Sequence, residues 1–116
     1  MAVKPLGLSE AVEGAVHVVA VHGEVDMLSA PDLAAYVDSV LDRGVTRIVV
    51  DLTAATFLDS SGVFTLVRAK NRATDAGGRV RVTCPPGPVL RVLTIAGLID
   101  ELGVRARRDD SPPDAG

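Results

Sequence analysis

Tryptophan is absent, and one tyrosine and two phenylalanines are the only aromatic residues. The chain therefore has no set of flat faces on which single-stranded nucleic acid could stack. A surplus of positive charge is missing too. Twelve Lys and Arg against 15 Asp and Glu leave a net charge of −3, which gives no general attraction to phosphate backbones. The one basic cluster, Arg105, Arg107 and Arg108, runs straight into Asp109 and Asp110 and reads as a solvated tail. The single cysteine, Cys84, allows no internal disulfide. It ends a valine-rich stretch and reads as a small buried residue rather than a nucleophile. No apolar run reaches the ~20 residues that span a bilayer, and no basic start leads into the apolar segment of a signal peptide. These absences predict a cytoplasmic protein with no direct contact to nucleic acid and no insertion into a membrane.

Patterns for catalysis are equally scarce. His17 and His22, with one lone cysteine, do not make a metal site. Neither a Walker A sequence nor Gly-x-Gly-x-x-Gly occurs, so no nucleotide cradle is expected. A nucleophile elbow needs glycine two residues before its serine. Here Leu58 stands two before Ser60, and Asp59 two before Ser61. A small serine hydrolase would have to recruit His22 from the end of a neighbouring strand, and it is carried only as a remaining alternative. No catalytic residue and no cofactor is assigned.

What the chain does have is aliphatic surface to bury. Hydrophobic residues make up 47% of 116, enough for one domain that buries roughly two-thirds of its unfolded surface. Met1 to Ser9 reads as an extended arm or edge strand. Gly14 to Val21 is β-branched and reads as a strand, after which His22 to Asp26 turns the chain. Ser29-Ala30-Pro31-Asp32 has the form of a capped helix start, with Ser29 as the cap and Gly44 as the stop. Arg47 to Leu52 is a near-continuous apolar strand of the kind covered on both faces. Thr53 to Leu58 reads as a loop. A second helix then runs to about Asp75 and ends at Ala76-Gly77-Gly78. Arg79 to Cys84 is a third strand, Pro88 to Ala96 a third helix closed by Gly97, and Leu102 to Arg107 a candidate last strand. Strands alternating with helices of ~12 residues predict an α/β domain with a mixed, mainly parallel sheet and right-handed crossovers. The domain is placed at residues 1–108, with a disordered tail over 109–116.

The stretch around which this is organised is Phe57-Leu58-Asp59-Ser60-Ser61-Gly62-Val63-Phe64. Val63, Leu66, Val67 and Lys70 follow at helical spacing, so Asp59 to Gly62 opens the helix. Two readings stand. Asp and Ser side chains cap the unpaired N–H groups of a first helical turn, and the stretch is then structural. Alternatively Ser60 offers its hydroxyl to solvent beside those N–H groups and the positive end of the helix dipole. A phosphate placed there would gain donors without unfolding the domain. Asp59 is adjacent to it, and Glu24 and Asp26 lie on a loop that can reach the same end of the sheet, so the added charge would change one surface sharply.

His22-Gly23-Glu24-Val25-Asp26, Asp51-Leu52 and Phe57-Leu58-Asp59-Ser60-Ser61-Gly62, with the Gly77-Gly78 turn, resemble the STAS family. The resemblance is to the stand-alone anti-sigma factor antagonists of bacteria, and it runs from about Gly14 to Val104. It implies a mixed sheet with packed helices and a partner, an anti-sigma factor that is a serine kinase using its own ATP. It further implies that Ser60 is the phospho-acceptor and that Asp59, Ser61 and Gly62 shape its turn. Glu24 and Asp26 then belong to the docking surface. The unmodified form would bind the anti-sigma factor and free the sigma factor. The phosphorylated form would not, until a phosphatase restores it. Phe64 departs from the small residue the family often carries there, and is either core or part of the docking face. The alternative within the family is a STAS subunit of a membrane-associated transport or stress-signalling complex that is not phosphorylated.

Overall fold

Valine and isoleucine runs set the middle of the sheet. The computed structural model describes residues 6–107. Within them Gly7–Glu13 (β1), Val16–Val25 (β2), Arg47–Leu58 (β3) and Arg79–Thr83 (β4) form one sheet in the order β1-β2-β3-β4. β1 and β2 are an antiparallel hairpin closed by Gly14-Ala15, while β2–β3 and β3–β4 are parallel. A parallel pair cannot be joined by a tight turn. Ala30–Asp42 (α1) and Ser60–Asp75 (α2) carry the chain back between those strands, and Pro88–Ile95 (α3) follows β4. The expected mixed, mainly parallel α/β architecture is the one observed.

The helices close over the sheet because their apolar residues recur on one side. Leu33, Val37 and Val40 of α1, and Leu66, Ala69 and Ala73 of α2, are buried in one cluster with Val19, Val21, Val50 and Leu52 of the central strands. The end of α2 is fixed by a glycine pair. Gly77, at φ +81, donates its N–H to the Thr74 carbonyl, and the Gly78 N–H reaches the Ala73 carbonyl at 2.8 Å. These are the two bonds of a Schellman motif, which needs a left-handed residue just past the helix.

Four boundaries differ from expectation, each for a physical reason. The edge strand runs to Glu13, past the expected arm at Met1 to Ser9, because an edge strand with polar outward positions carries no apolar run. The chain does not turn at His22 to Asp26. β2 continues to Val25 through two register shifts, and the turn begins at Asp26. Thr53 to Leu58 is not a loop but the second half of β3, held by the pairings Glu24↔Phe57 and Val25↔Leu58. Leu102 to Arg107 forms no strand of its own and contributes one parallel bridge, Arg105 to Thr83. Met1 to Pro5 and the expected tail at 109–116 lie outside the described residues.

The edge strand is also tied to α1. Glu10 accepts hydrogen bonds from His17 Nδ1, from Arg43 Nη2 at 2.7 Å and from the Tyr36 hydroxyl at 3.3 Å. The His17 bond first, and then Arg43, hold the Glu10 carboxyl below its ordinary value. A depressed carboxylate stabilises the fold above the unfolded pKa and loses that contribution as pH falls through the folded one. The gap in melting temperature between the wild type and Glu10→Gln is therefore expected to be open at about pH 5.5 and to close on acidification below about 4.5. A gap that persists in strong acid would show that the charge is not what ties the strand.

Candidate functional site at the start of α2

Two loops meet at the C-terminal ends of β2 and β3. The Asp59 N–H donates to the Val25 carbonyl at 3.2 Å, which fastens the turn before α2 to the end of β2. Asp59 is the N-cap, and its Oδ1 accepts the Gly62 N–H at 3.1 Å. That leaves the N–H groups of Ser60 and Ser61 uncovered by the cap. Gly62 is buried, and a Cβ there would lie 2.3 Å from Leu58 Cδ1 and 2.9 Å from Val25 Cγ1. Only glycine lets α2 start this close to the strand ends.

With the inner side of the turn fixed in this way, Ser60 falls outside. It is the first residue of α2 and is exposed, while Ser61 is half-buried and its carbonyl accepts from Thr65 Oγ1 at 2.9 Å. The two readings of the turn thus divide between two residues. Asp59 does the capping, and the Ser60 hydroxyl is left to solvent with no hydrogen-bond partner among the described residues.

The second loop corrects one assignment. Ser29 precedes α1 but makes no side-chain cap. Asp26 Oδ1 instead accepts the N–H groups of Leu28 and Ser29, each at 3.0 Å, while Ser29 Oγ accepts the Asp26 N–H at 3.0 Å. This reciprocal pair closes the turn ahead of α1, since Leu28 and Ser29 both precede the helix. The bond from the Ser29 backbone, with its hydroxyl and Leu28 assisting, holds the Asp26 carboxyl below the usual carboxylate range. Glu24 is exposed, and its carbonyl accepts from Ser29 Oγ at 2.7 Å. All six expected residues therefore lie at one end of the sheet. Glu24 stands in the last pair of residues of β2 rather than on the loop expected for it, with Asp26 just after the strand. Asp59 is the cap of α2, and Ser60, Ser61 and Gly62 form its first turn.

Between the starts of α1 and α2 lies a shallow groove lined by Met27, Pro31, Ser60, Ser61, Phe64 and Arg68, among others. Arg68 donates from both Nη atoms to Asp38 of α1, each at 3.2 Å. Of the two places open to Phe64, the structure gives the surface: it is 71% exposed, one helical turn beyond Ser60. Met27 and Leu28, at 71% and 69%, were not singled out from the sequence. The available signal was two large apolar residues placed between Asp26 and Ser29, in no periodic run.

The chemistry of other groups at this end is limited. Neither histidine belongs to the groove. His22 stands opposite Gly7 and Ala54 in the sheet, and His17 engages Glu10. Among the described residues no group of His, Cys, Asp and Glu could hold a metal ion. Cys84 is buried, and burial first, then the charge of Asp51, pushes its thiol up to about 11. It stays protonated at neutral pH and is a poor nucleophile. No helix among the described residues is long and apolar enough to cross a membrane.

Residues 9–111 match the family model of the STAS domain. The chain belongs to the STAS domain family. Solved structures agree with it in fold. An anti-sigma factor antagonist from Mycobacterium paratuberculosis is 27% identical, with a TM-score of 0.83 over 90% of this chain and 89% of the other. The anti-sigma factor antagonist SpoIIAA in its unphosphorylated form is 22% identical, with a TM-score of 0.67 over 90% and 91%. The phosphorylated form of SpoIIAA, a Bacillus cell fate determinant, is 23% identical, with a TM-score of 0.67 over 90% and 94%. At the identity of SpoIIAA, what this STAS domain shares with it is the fold.

Proposed function

We propose that this STAS domain is an anti-sigma factor antagonist controlled by one phosphate. In its unmodified form it binds an anti-sigma factor serine kinase through the surface made by Glu24, Asp26, Asp59, Ser60, Ser61 and Gly62, and so frees a sigma factor. The kinase, with its own ATP, phosphorylates Ser60 and is released, and a phosphatase resets the switch. The domain acts by binding in the cytoplasm and carries out no catalysis itself.

The observation that carries this reading is the exposed Ser60 at the first position of α2, beside a cap supplied by a different residue. A phosphate on that hydroxyl meets the uncovered N–H groups of the first turn and the positive end of the dipole. It adds about two negative charges at neutral pH beside Asp59 and near Glu24 and Asp26. The fold tolerates the group, while a docked partner meets a changed surface. A solved relative at 27% identity that is itself an anti-sigma factor antagonist supports the same role.

The experiment is labelling with a purified anti-sigma serine kinase and ATP, read by intact mass and peptide mapping. The wild type should gain one phosphate on Ser60, and Ser60→Ala should gain none. Phosphate found on another residue, or equal labelling of Ser60→Ala, would refute the assignment.

A further inference from the structure

A chain with three aromatic residues has none to spare, yet both of its phenylalanines are on the surface. Three of the large apolar side chains exposed among the described residues, Met27 and Leu28 ahead of α1 and Phe64 in the first turns of α2, lie at the end of the sheet that carries Ser60. Phe57 stands next to the buried Leu58 at the end of β3 and points to the other face. The remaining two are Val12 on the edge strand and Ile95 at the end of α3. Scattered apolar residues on a surface are ordinary, but a contiguous group with polar surroundings marks a contact site. Phe64 and Met27 face one groove with Ser60 between the starts of α1 and α2, and Leu28 adjoins Met27 on the same loop.

The rim of this group is acidic. Asp32 is exposed in the first turn of α1, and Asp26 and Asp59 are half-buried in the turns ahead of α1 and α2, with Glu24 exposed at the end of β2. Arg68, the cation of the groove, is already paired with Asp38. An apolar centre with charge of one sign around it fits a partner with an apolar centre and the opposite charge. It does not fit a second copy of this chain. A two-fold contact through the patch would bring one acidic rim against another.

We propose that Phe64, flanked by Met27 and Leu28, is the apolar anchor of the docking face and seats in an apolar socket with a basic rim on the anti-sigma kinase. This rests on the antagonist reading above and adds to it the chemistry of the partner's surface. It also explains how a phosphate on Ser60 acts at a distance of one helical turn. The socket closes over Phe64 with room beside it for the Ser60 hydroxyl, and a hydrated phosphate in that place keeps the two surfaces apart.

The test uses the full chain and purified ATP-binding anti-sigma kinases from the organism that encodes it, each titrated calorimetrically. The wild type should bind one of them. Phe64→Ala should bind it on the order of 30-fold more weakly, as expected for an aromatic anchor, with an unchanged melting temperature because the side chain is exposed. Phe64→Leu should recover part of the loss, and Ile95→Ala should bind like the wild type. Raising the salt should weaken wild-type binding, since the rim contacts are screened. Wild-type binding that Phe64→Ala leaves intact would overturn the anchor and leave the antagonist reading standing. A wild type that binds no kinase overturns both. Sedimentation that shows a dimer dissolved by Phe64→Ala would give the face to a second copy instead, against this proposal.

Discussion

Ser60→Asp is expected to lose the anti-sigma kinase and to melt where the wild type melts. Ser60 is exposed at the first position of α2, so the substitution removes no packing. A carboxylate at a helix N-terminus is favoured by about 0.3–1 kcal/mol, which offsets whatever the nearby carboxylates Asp59 and Glu24 cost. The two effects leave the melting temperature within a few degrees. Binding differs, because docking takes water from the site. A hydrated carboxylate in the place of the neutral hydroxyl must be stripped of water for the two surfaces to close, at a cost of several kcal/mol, so affinity should fall on the order of 100-fold or more. Calorimetry beside a melting curve reads both quantities. A large drop in melting temperature would mean that Ser60 holds the turn, and wild-type affinity would mean that the docked partner leaves this position in water.

Gly62→Val is expected to produce the opposite pattern, a loss of stability that carries binding down with it. The first added carbon falls 2.3 Å from Leu58 Cδ1 and 2.9 Å from Val25 Cγ1, and both side chains are buried. Overpacking of this kind costs roughly 1–3 kcal/mol. For a domain of this size that is a fall of about 5–15 °C in melting temperature. The helix propensity gained by replacing glycine is under about 1 kcal/mol, too small to reverse the sign. α2 must lift from the strand ends, and Asp59 and Ser60 move with it, so the kinase is lost as well. A Gly62→Val protein that melts at or above the wild-type temperature would contradict the close approach of α2 to Val25 and Leu58.

The two substitutions sit two residues apart in a stretch that was legible from the sequence, and the reason is local. Asp-Ser-Ser-Gly before an apolar helical period states its own geometry: an oxygen to accept, a residue left outside, and a glycine for contact. The ends of strands are stated elsewhere in the chain. Thr53 to Thr56 have no apolar alternation, and they are strand because β2 lies beside them. Ser29 looked like a cap by residue type, yet its hydroxyl turns back to the Glu24 carbonyl because β2 runs on to Val25 and the turn before α1 comes later, closed by Asp26. Phe64 could have belonged to the core or to the face. Its neighbours Thr65 and Leu66 take the inward positions, which leaves it outside. Met27 and Leu28 gave no period to read, so their meeting with Phe64 depends on how the starts of α1 and α2 come together.

One comparison bears on the account more directly than any substitution. The chain, phosphorylated to completion on Ser60 and checked by intact mass, is titrated against the kinase that modifies it, next to the unmodified chain. The unmodified domain should bind and the phosphorylated one should be at least about 100-fold weaker, with superimposable circular dichroism spectra and melting curves. Equal affinity of the two forms would contradict the account, and so would a phosphorylated domain that has lost its fold.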